Sequence, residues 1–493
     1  MVPWQPFRRG RFIRRCVVIL AVSSCATLIR FQVKFWTSQS ARMPPTRQQQ
    51  PRTTEITGSG QHHSGADQDG REGRTVGTSR ILEPQVFRDD EESEHRTDDL
   101  SWSSQKLPWF FTNGTERPGA SSKLSRIRNV WPHPQSPHDD RIVSQLMYLP
   151  PGYKRQPKSI KTTTMKSIIL HGSWPETLNG REPFLKDRCP VDTCTVYQSY
   201  EAHLKEQGSD TIVDAVIYKD FYYGEVYRTN NEHHLKILYL LENPMNMNIK
   251  TGATGIDLTA TYRMDSDIVT PYEKFVLFDP LVKSIKRDYD YTQNKTKMVA
   301  WFVSDCCTSN RRLDYAHELQ KYIQVDIYGS CGTLTCPRKN DTCYQVLDHD
   351  YYFYLAFENA NCKDYITEKF YDALRHNVVP VVMGASREEY RAAAPYHSYI
   401  HVDDFASPKE LAEYLRLLGS SPSLYNQYFE WKGTGEFVNT YFWCRLCAML
   451  HAPPRPAERL RRTSFQEWWH DGACRSDYDV AKARSVRDSD ALL

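Results

Sequence analysis

Residues 352–384 read YFYLAFENANCKDYITEKFYDALRHNVVPVVMG, and this stretch decides the fold class. Residues 352–357 form a short aromatic and apolar run bounded by polar residues, which predicts a buried strand. Residues 364–376 predict a helix, and residues 378–383 are a Val-rich strand placed directly after it. Strand, helix and strand in that order predict a crossover unit with parallel strands. The rhythm continues on both sides. Upstream, residues 298–304 predict a strand, 311–323 a helix with Leu313, Ala316, Leu319 and Ile323 at helical spacing, and 325–328 another strand. Downstream, residues 399–402 predict a strand and 407–418 a helix whose Ser407 and Glu410 form a capping-box pattern. Further strands are predicted at 167–170, 214–218 and 235–241. The fold class is α/β, with parallel sheets covered on both faces. Ligands in such sheets bind beyond the carboxyl ends of the strands, so residues 304–312, 358–369 and 384–387 are the ones to inspect.

At 493 residues the chain exceeds the reach of one core, and two domains with accessory segments are expected. The 63 Lys and Arg nearly balance the 60 Asp and Glu, which gives no support to nucleic acid as a partner. Arg8, Arg9, Arg11, Arg14 and Arg15 precede an apolar run at 16–29, extended by Phe31, Val33, Phe35 and Trp36. That charge order predicts a short cytosolic tail at 1–15 and a signal anchor at 16–36, with the body lumenal. A cleaved signal peptide, with Ser24 and Ala26 near the cut, is the competing reading. Residues 37–138 are polar, with the cluster Asp89-Asp90-Glu91-Glu92, and predict a disordered stem. The sequons at Asn113, Asn294 and Asn340 fit a lumenal body.

Of thirteen cysteines, Cys16 and Cys25 lie in the anchor and eleven lie beyond Pro183, including the close pairs Cys189 with Cys194, Cys331 with Cys336 and Cys444 with Cys447. Such pairs are zinc ligands in a reducing compartment and disulfide halves in an oxidising one. The amino-terminal reading favours disulfides.

The loop from Ala360 to Lys363 leads to a helix start carrying Tyr365, Thr367, Glu368 and Lys369. Free amides, the positive end of the helix dipole and the Lys369 charge make a seat for a diphosphate. On the residues alone, a capped helix end facing solvent is an equal reading.

Phe357-Glu358-Asn359, Asp364-Tyr365-Ile366-Thr367-Glu368-Lys369-Phe370 and Val378-Val379-Pro380-Val381-Val382-Met383-Gly384 together resemble the signature of the α1,3-fucosyltransferases, glycosyltransferase family 10. The resemblance runs from about residue 141 to 447 and includes Val299-Ala300-Trp301-Phe302-Val303-Ser304 and Asn310-Arg311-Arg312-Leu313. It implies a GT-B fold of two Rossmann-like domains, an acceptor-side one at 139–290 and a GDP-fucose-binding one at 291–450, with 451–493 as a C-terminal extension. It also implies that Arg312 and Lys369 neutralise the diphosphate, and that Ser304, Asn359, Tyr365 and Glu368 contact donor. Glu368 could further stabilise positive charge on the transferred sugar. The family usually follows the serine with Asn, where this chain has Asp305, an awkward charge near a diphosphate.

Glu242, in Leu240-Leu241-Glu242-Asn243-Pro244, resembles the family's catalytic base. The segment from Thr261 to Ile268 resembles a block that normally has a second Arg where Met264 stands. Its Asp265-Ser266-Asp267 also mimics a metal-binding Asp-x-Asp of a different glycosyltransferase architecture. A metal is not obligatory on the present reading, although stimulation by Mn2+ or Mg2+ is compatible with it. The resemblance further implies that Cys189 and Cys194 pair with Cys444 and Cys447, in that order. A redox role for the Cys444-Arg445-Leu446-Cys447 motif is the alternative. The Cys306-Cys307 doublet leaves an odd cysteine, free or bridging chains.

Residues 141–148, 189–194 and 431–437, with a tail carrying Trp468, Trp469 and Cys474, look most like the invertebrate and plant core enzymes. These fucosylate O3 of the innermost N-acetylglucosamine of Asn-linked glycans on glycoproteins, as type II Golgi membrane proteins. A Lewis-type enzyme acting on outer N-acetyllactosamine, and an inactive glycan-binding protein, are the other expectations.

Overall fold

A computed structural model describes residues 106–119, 131–132, 140–154, 165–208, 212–222, 234–247, 255–336, 342–452 and 465–475. The expected anchor at 16–36, most of the expected stem and the Asn340 sequon lie outside the described residues. No helix among the described residues is long and apolar enough to cross a membrane.

Two parallel sheets carry the architecture. The first has six strands, β1 (Lys166–His171), β2 (Cys194–Tyr197), β3 (Ala215–Lys219), β4 (Leu235–Leu240), β5 (Leu258–Thr261) and β6 (Ile268–Val269), in the order β2-β1-β3-β4-β5-β6. Two short strands, β7 (Lys274–Leu277) and β14 (Gly435–Val438), pair antiparallel outside it. The second sheet has five strands, β8 (Lys297–Phe302), β9 (Val325–Tyr328), β10 (Tyr351–Phe357), β12 (Val379–Met383) and β13 (Ile400–His401), in the order β13-β12-β10-β8-β9. Their registers are parallel throughout, for instance Phe353 with Val379 and Ile237 with Leu258. The apolar character of the strands explains this, since Ile168, Val216, Ile237, Val299, Leu355 and Val381 are all buried and parallel strands need cover on both faces.

Helix ends follow local chemistry. Ser407 caps the helix Pro408–Ser420 by accepting from the Glu410 amide, but the Glu410 carboxylate reaches the Ala406 amide at 3.0 Å, so the pattern read there is not a closed box. The reciprocal box forms instead at Ser386 and Glu389, where the helix Arg387–Ala393 begins. The helix expected at 364–376 is shorter, Glu368–Arg375, because Asp364 sits at φ 57° and Thr367 takes the N-cap.

Two expected boundaries shift. The stem was expected to run to residue 138, yet Trp109, Phe110, Phe111 and Trp131 are buried in the core under the first sheet. Removing such side chains from water is worth about 1.5–3 kcal/mol each, enough to hold a short polar-flanked segment on the body. The helix Phe442–Leu450, expected in the second domain, packs with that same first-sheet core through Cys444, Leu446, Cys447 and Met449. Disulfides Cys189–Cys444 and Cys194–Cys447 hold it there.

Candidate active site

The site is assembled from loops at the carboxyl ends of both sheets. Glu242 lies two residues past β4, half-buried, and its Oε1 accepts from the Asn243 amide at 3.1 Å and the Asn243 side chain at 2.6 Å. Across the gap, the loop after β10 supplies the Tyr365 hydroxyl, which donates to the same oxygen at 2.8 Å. Asn359 lies beside them, 3.0 Å from the Asn243 side chain and 3.4 Å from Glu242. Among the described residues, Glu242 Oε2 makes no hydrogen bond. One carboxylate of the first sheet is thus oriented by residues of the second, with one oxygen spare to accept a proton.

The cationic side of the site is built on β10 and the helix Glu368–Arg375. The Lys369 ammonium lies 3.3 Å from Glu358, 3.1 Å from Glu368 and 2.9 Å from the Thr367 hydroxyl. Burial disfavours its charge, but the two carboxylates outweigh that and hold Lys369 above the usual lysine range. Glu368 shows the converse balance, with burial opposed chiefly by Lys369, so its carboxyl stays below the usual range. Arg312 is buried, donating to the Phe357 carbonyl at 2.7 Å and the Asp305 carbonyl at 3.0 Å. Burial pulls its guanidinium down, while the Asp305 and Glu358 charges oppose the shift. Its Nε is buried with no hydrogen-bond partner among the described residues, and Arg312 and Lys369 repel each other. An anion beside Arg312 would accept from that Nε, whereas the Lys369 ammonium already has Glu358, Glu368 and Thr367 as partners.

Glu358 was not singled out from the sequence, although it is fully buried at the end of β10. It accepts from the Thr367 amide and hydroxyl, both at 2.8 Å, and burial raises its carboxyl. Glu358 thus occupies one amide of the helix start, that of the N-cap Thr367. The signal available was an acidic residue closing an otherwise apolar strand. Asn310, also fully buried, ties the two loops by donating to the Glu358 carbonyl at 2.9 Å and to Asn361 at 3.0 Å.

The remaining sequence candidates sort themselves by position. Ser304 follows β8, with its hydroxyl against Gly329, where an added Cβ would lie 3.4 Å from it. The Asp305 charge favours the charged form of Arg312, and its carbonyl accepts from that guanidinium at 3.0 Å. Asp265 pairs with Arg263 at 2.7 Å and Lys363 at 3.2 Å, and although burial acts against it these partners hold its carboxyl down at about 2. Asp267 accepts instead from the Thr259 amide at 2.8 Å and hydroxyl at 2.9 Å. The two acids of the Asp-x-Asp therefore serve different protein partners. A further group with metal-ligand spacing, Cys194, Cys447 and His451, holds no thiolate, because its cysteines are bonded to each other. Cys444 and Cys447 are bonded to different partners, which removes a dithiol from the redox reading. Cys306 is bonded to Cys331, and among the described residues the free cysteine is the exposed Cys307. Asn113 and Asn294 are exposed in turns.

Residues 292–468 match the family model for the C-terminal region of glycosyltransferase family 10, the fucosyltransferases. The chain is 47% identical over 395 residues to glycoprotein 3-alpha-L-fucosyltransferase A of Drosophila melanogaster, covering 77% of this chain and 76% of that protein. It is 35% identical over 328 residues to alpha-(1,3)-fucosyltransferase C of the same organism, covering 62% and 75%. A crystal structure of an α1,3-fucosyltransferase with GDP-fucose aligns with 62% of this chain and 95% of its own at 15% identity, with a TM-score of 0.41. The chain belongs to glycosyltransferase family 10 and is an α1,3-fucosyltransferase.

Proposed function

We propose that the chain transfers L-fucose from GDP-fucose, with inversion, to O3 of the innermost N-acetylglucosamine of Asn-linked glycans. The observation that carries this reading is the meeting of Glu242 with Tyr365 at 2.8 Å, which joins a base on one sheet to the donor loop of the other. The two sheets are the Rossmann-like halves of a GT-B enzyme, with acceptor on the first and donor on the second. As the acceptor oxygen bonds to the fucose anomeric carbon, its proton passes to Glu242, and the bond from that carbon to the diphosphate breaks. Arg312 and Lys369 stabilise the departing GDP. Glu368 lies near enough to Lys369 to share the field felt by the sugar as positive charge develops on it. Asn359 and Ser304 line the donor side.

The greater identity and coverage against the glycoprotein-modifying relative support the inner acceptor. The disulfides and the exposed sequons at Asn113 and Asn294 support a lumenal body, and with the basic-apolar amino terminus a type II Golgi protein. With two cations at the phosphate site, Mn2+ or Mg2+ is not required, and stimulation by either is compatible with the reading; chelated enzyme is expected to remain active. The deciding experiment incubates the full chain with GDP-fucose and a defined N-glycopeptide, and locates the new fucose by fragmentation mass spectrometry. Fucose on the inner N-acetylglucosamine supports the reading. Fucose on an outer antenna replaces it with the Lewis-type activity, and no transfer overturns it in favour of a glycan-binding role.

A further inference from the structure

The segment 465–475 makes contacts that the transfer reaction does not by itself require. Its strand β15 (Cys474–Arg475) pairs antiparallel with β11 (Asn361–Cys362), in the donor loop between Asn359 and Tyr365. Cys474 is bonded to Cys362, and the Lys363 amide donates to the Ala473 carbonyl at 2.7 Å. The same segment grips the first sheet. Arg263, just past β5, stacks over the Trp468 ring at 4.3 Å and donates to the Trp468 carbonyl, while the Trp468 indole donates to Asp265 at 3.1 Å. Asp265 in turn pairs with Lys363 of the donor loop.

Between these grips sits Trp469, fully buried. Its ring lies 5.8 Å from Tyr262, Tyr262 lies edge-on to Tyr365 at 5.0 Å, and Tyr365 holds Glu242. A continuous chain of contacts, two between rings and one hydrogen bond, therefore runs from the tail to Glu242. Aromatic packing of this kind fixes ring positions more than it adds affinity, and a displacement of the order of 1 Å at reacting groups is costly in rate.

We propose that residues 465–475 act as a clasp that sets Tyr365 and Asn359 against Glu242, making Trp469, Trp468 and the Cys362–Cys474 bond positioning elements for fucose transfer. This rests on Glu242 being the base of the proposed reaction. The clasp is supplied from outside both sheets, so the two faces of the cleft can be registered without a large direct interface between their loops.

The test uses the full chain and compares Trp469→Ala, Trp469→Phe and the paired Cys362→Ser with Cys474→Ser, each with and without Tyr365→Phe. kcat is expected to fall about tenfold or more in Trp469→Ala and in the cysteine pair, with GDP affinity within about threefold, because orientation rather than binding is lost. Trp469→Phe should recover kcat to within about threefold, since a ring again backs Tyr262. Adding Tyr365→Phe should cost nothing further, as changes along one chain of contacts are not additive. The cysteine pair leaves the aromatic core intact, so it reports even if Trp469→Ala does not fold. An unchanged kcat in the cysteine pair, or losses that multiply with Tyr365→Phe, would overturn the clasp. Glu242→Gln in the same series separates the two claims, because activity retained there removes the base assignment while the coupling to Tyr365 still judges the clasp.

Discussion

Replacing Glu242 with glutamine is the sharpest perturbation the site allows. The Tyr365 hydroxyl at 2.8 Å and the Asn243 amide and side chain at 3.1 and 2.6 Å all donate to one oxygen, Oε1. Glutamine keeps that oxygen as an acceptor, so the loop and its bridge to the donor side survive. What disappears is the second, spare oxygen and the negative charge, which are the features that take the acceptor's proton in the proposed reaction. A positioned general base contributes about 10²- to 10⁴-fold to rate, equivalent to about 3–5 kcal/mol of barrier. Initial rates at saturating GDP-fucose and glycopeptide should fall by that amount. GDP affinity, measured by titration calorimetry, should stay within about threefold, because Arg312 and Lys369 are untouched. A kcat within tenfold of the parent would refute the assignment. So would an affinity for GDP that falls in step with the rate, since Glu242 would then belong to the donor pocket.

Gly384 lies where an added Cβ would sit 2.7 Å from Glu358 Cγ and 2.9 Å from its Cβ. Gly384→Ala is therefore expected to push Glu358 off the Thr367 cap, with about 1–3 kcal/mol lost in denaturant unfolding and weaker GDP binding. Burial pushes the Asp364 carboxyl up to about 6, against hydrogen bonding from the Met264 amide. The folded chain then binds more protons than the unfolded chain between about pH 4 and 6, so stability falls as pH rises through that window. Asp364→Asn should flatten this part of the melting-temperature profile, and an unchanged slope would show that Asp364 is not its source. Removing Cys189–Cys444 and Cys194–Cys447 together by serine substitution should cost several kcal/mol, about 2–5 for each bond, read as a lower melting temperature.

The sequence by itself determined the α/β class and the strands at the heart of both sheets, because a parallel strand buried on both faces must be apolar along its length. Glu242 and Arg312 were marked only by the resemblance to the α1,3-fucosyltransferases, and Lys369 by that resemblance together with its place at a helix start, where the residues alone left a solvent-facing cap as an equal reading. Periodicity did not reveal β2 and β5, which are short and carry Thr or Cys, or the two-residue β6, nor that the helix Glu368–Arg375 begins behind a left-handed Asp364. Only the tertiary structure decided which side chains meet. Residues 242 and 365 are 123 positions apart, yet they share a hydrogen bond because loops from two sheets converge. Trp109 to Phe111 and the helix Phe442–Leu450 joined the first core for the same reason, that apolar surface is buried wherever chain geometry lets it be, and sequence distance sets no limit on that.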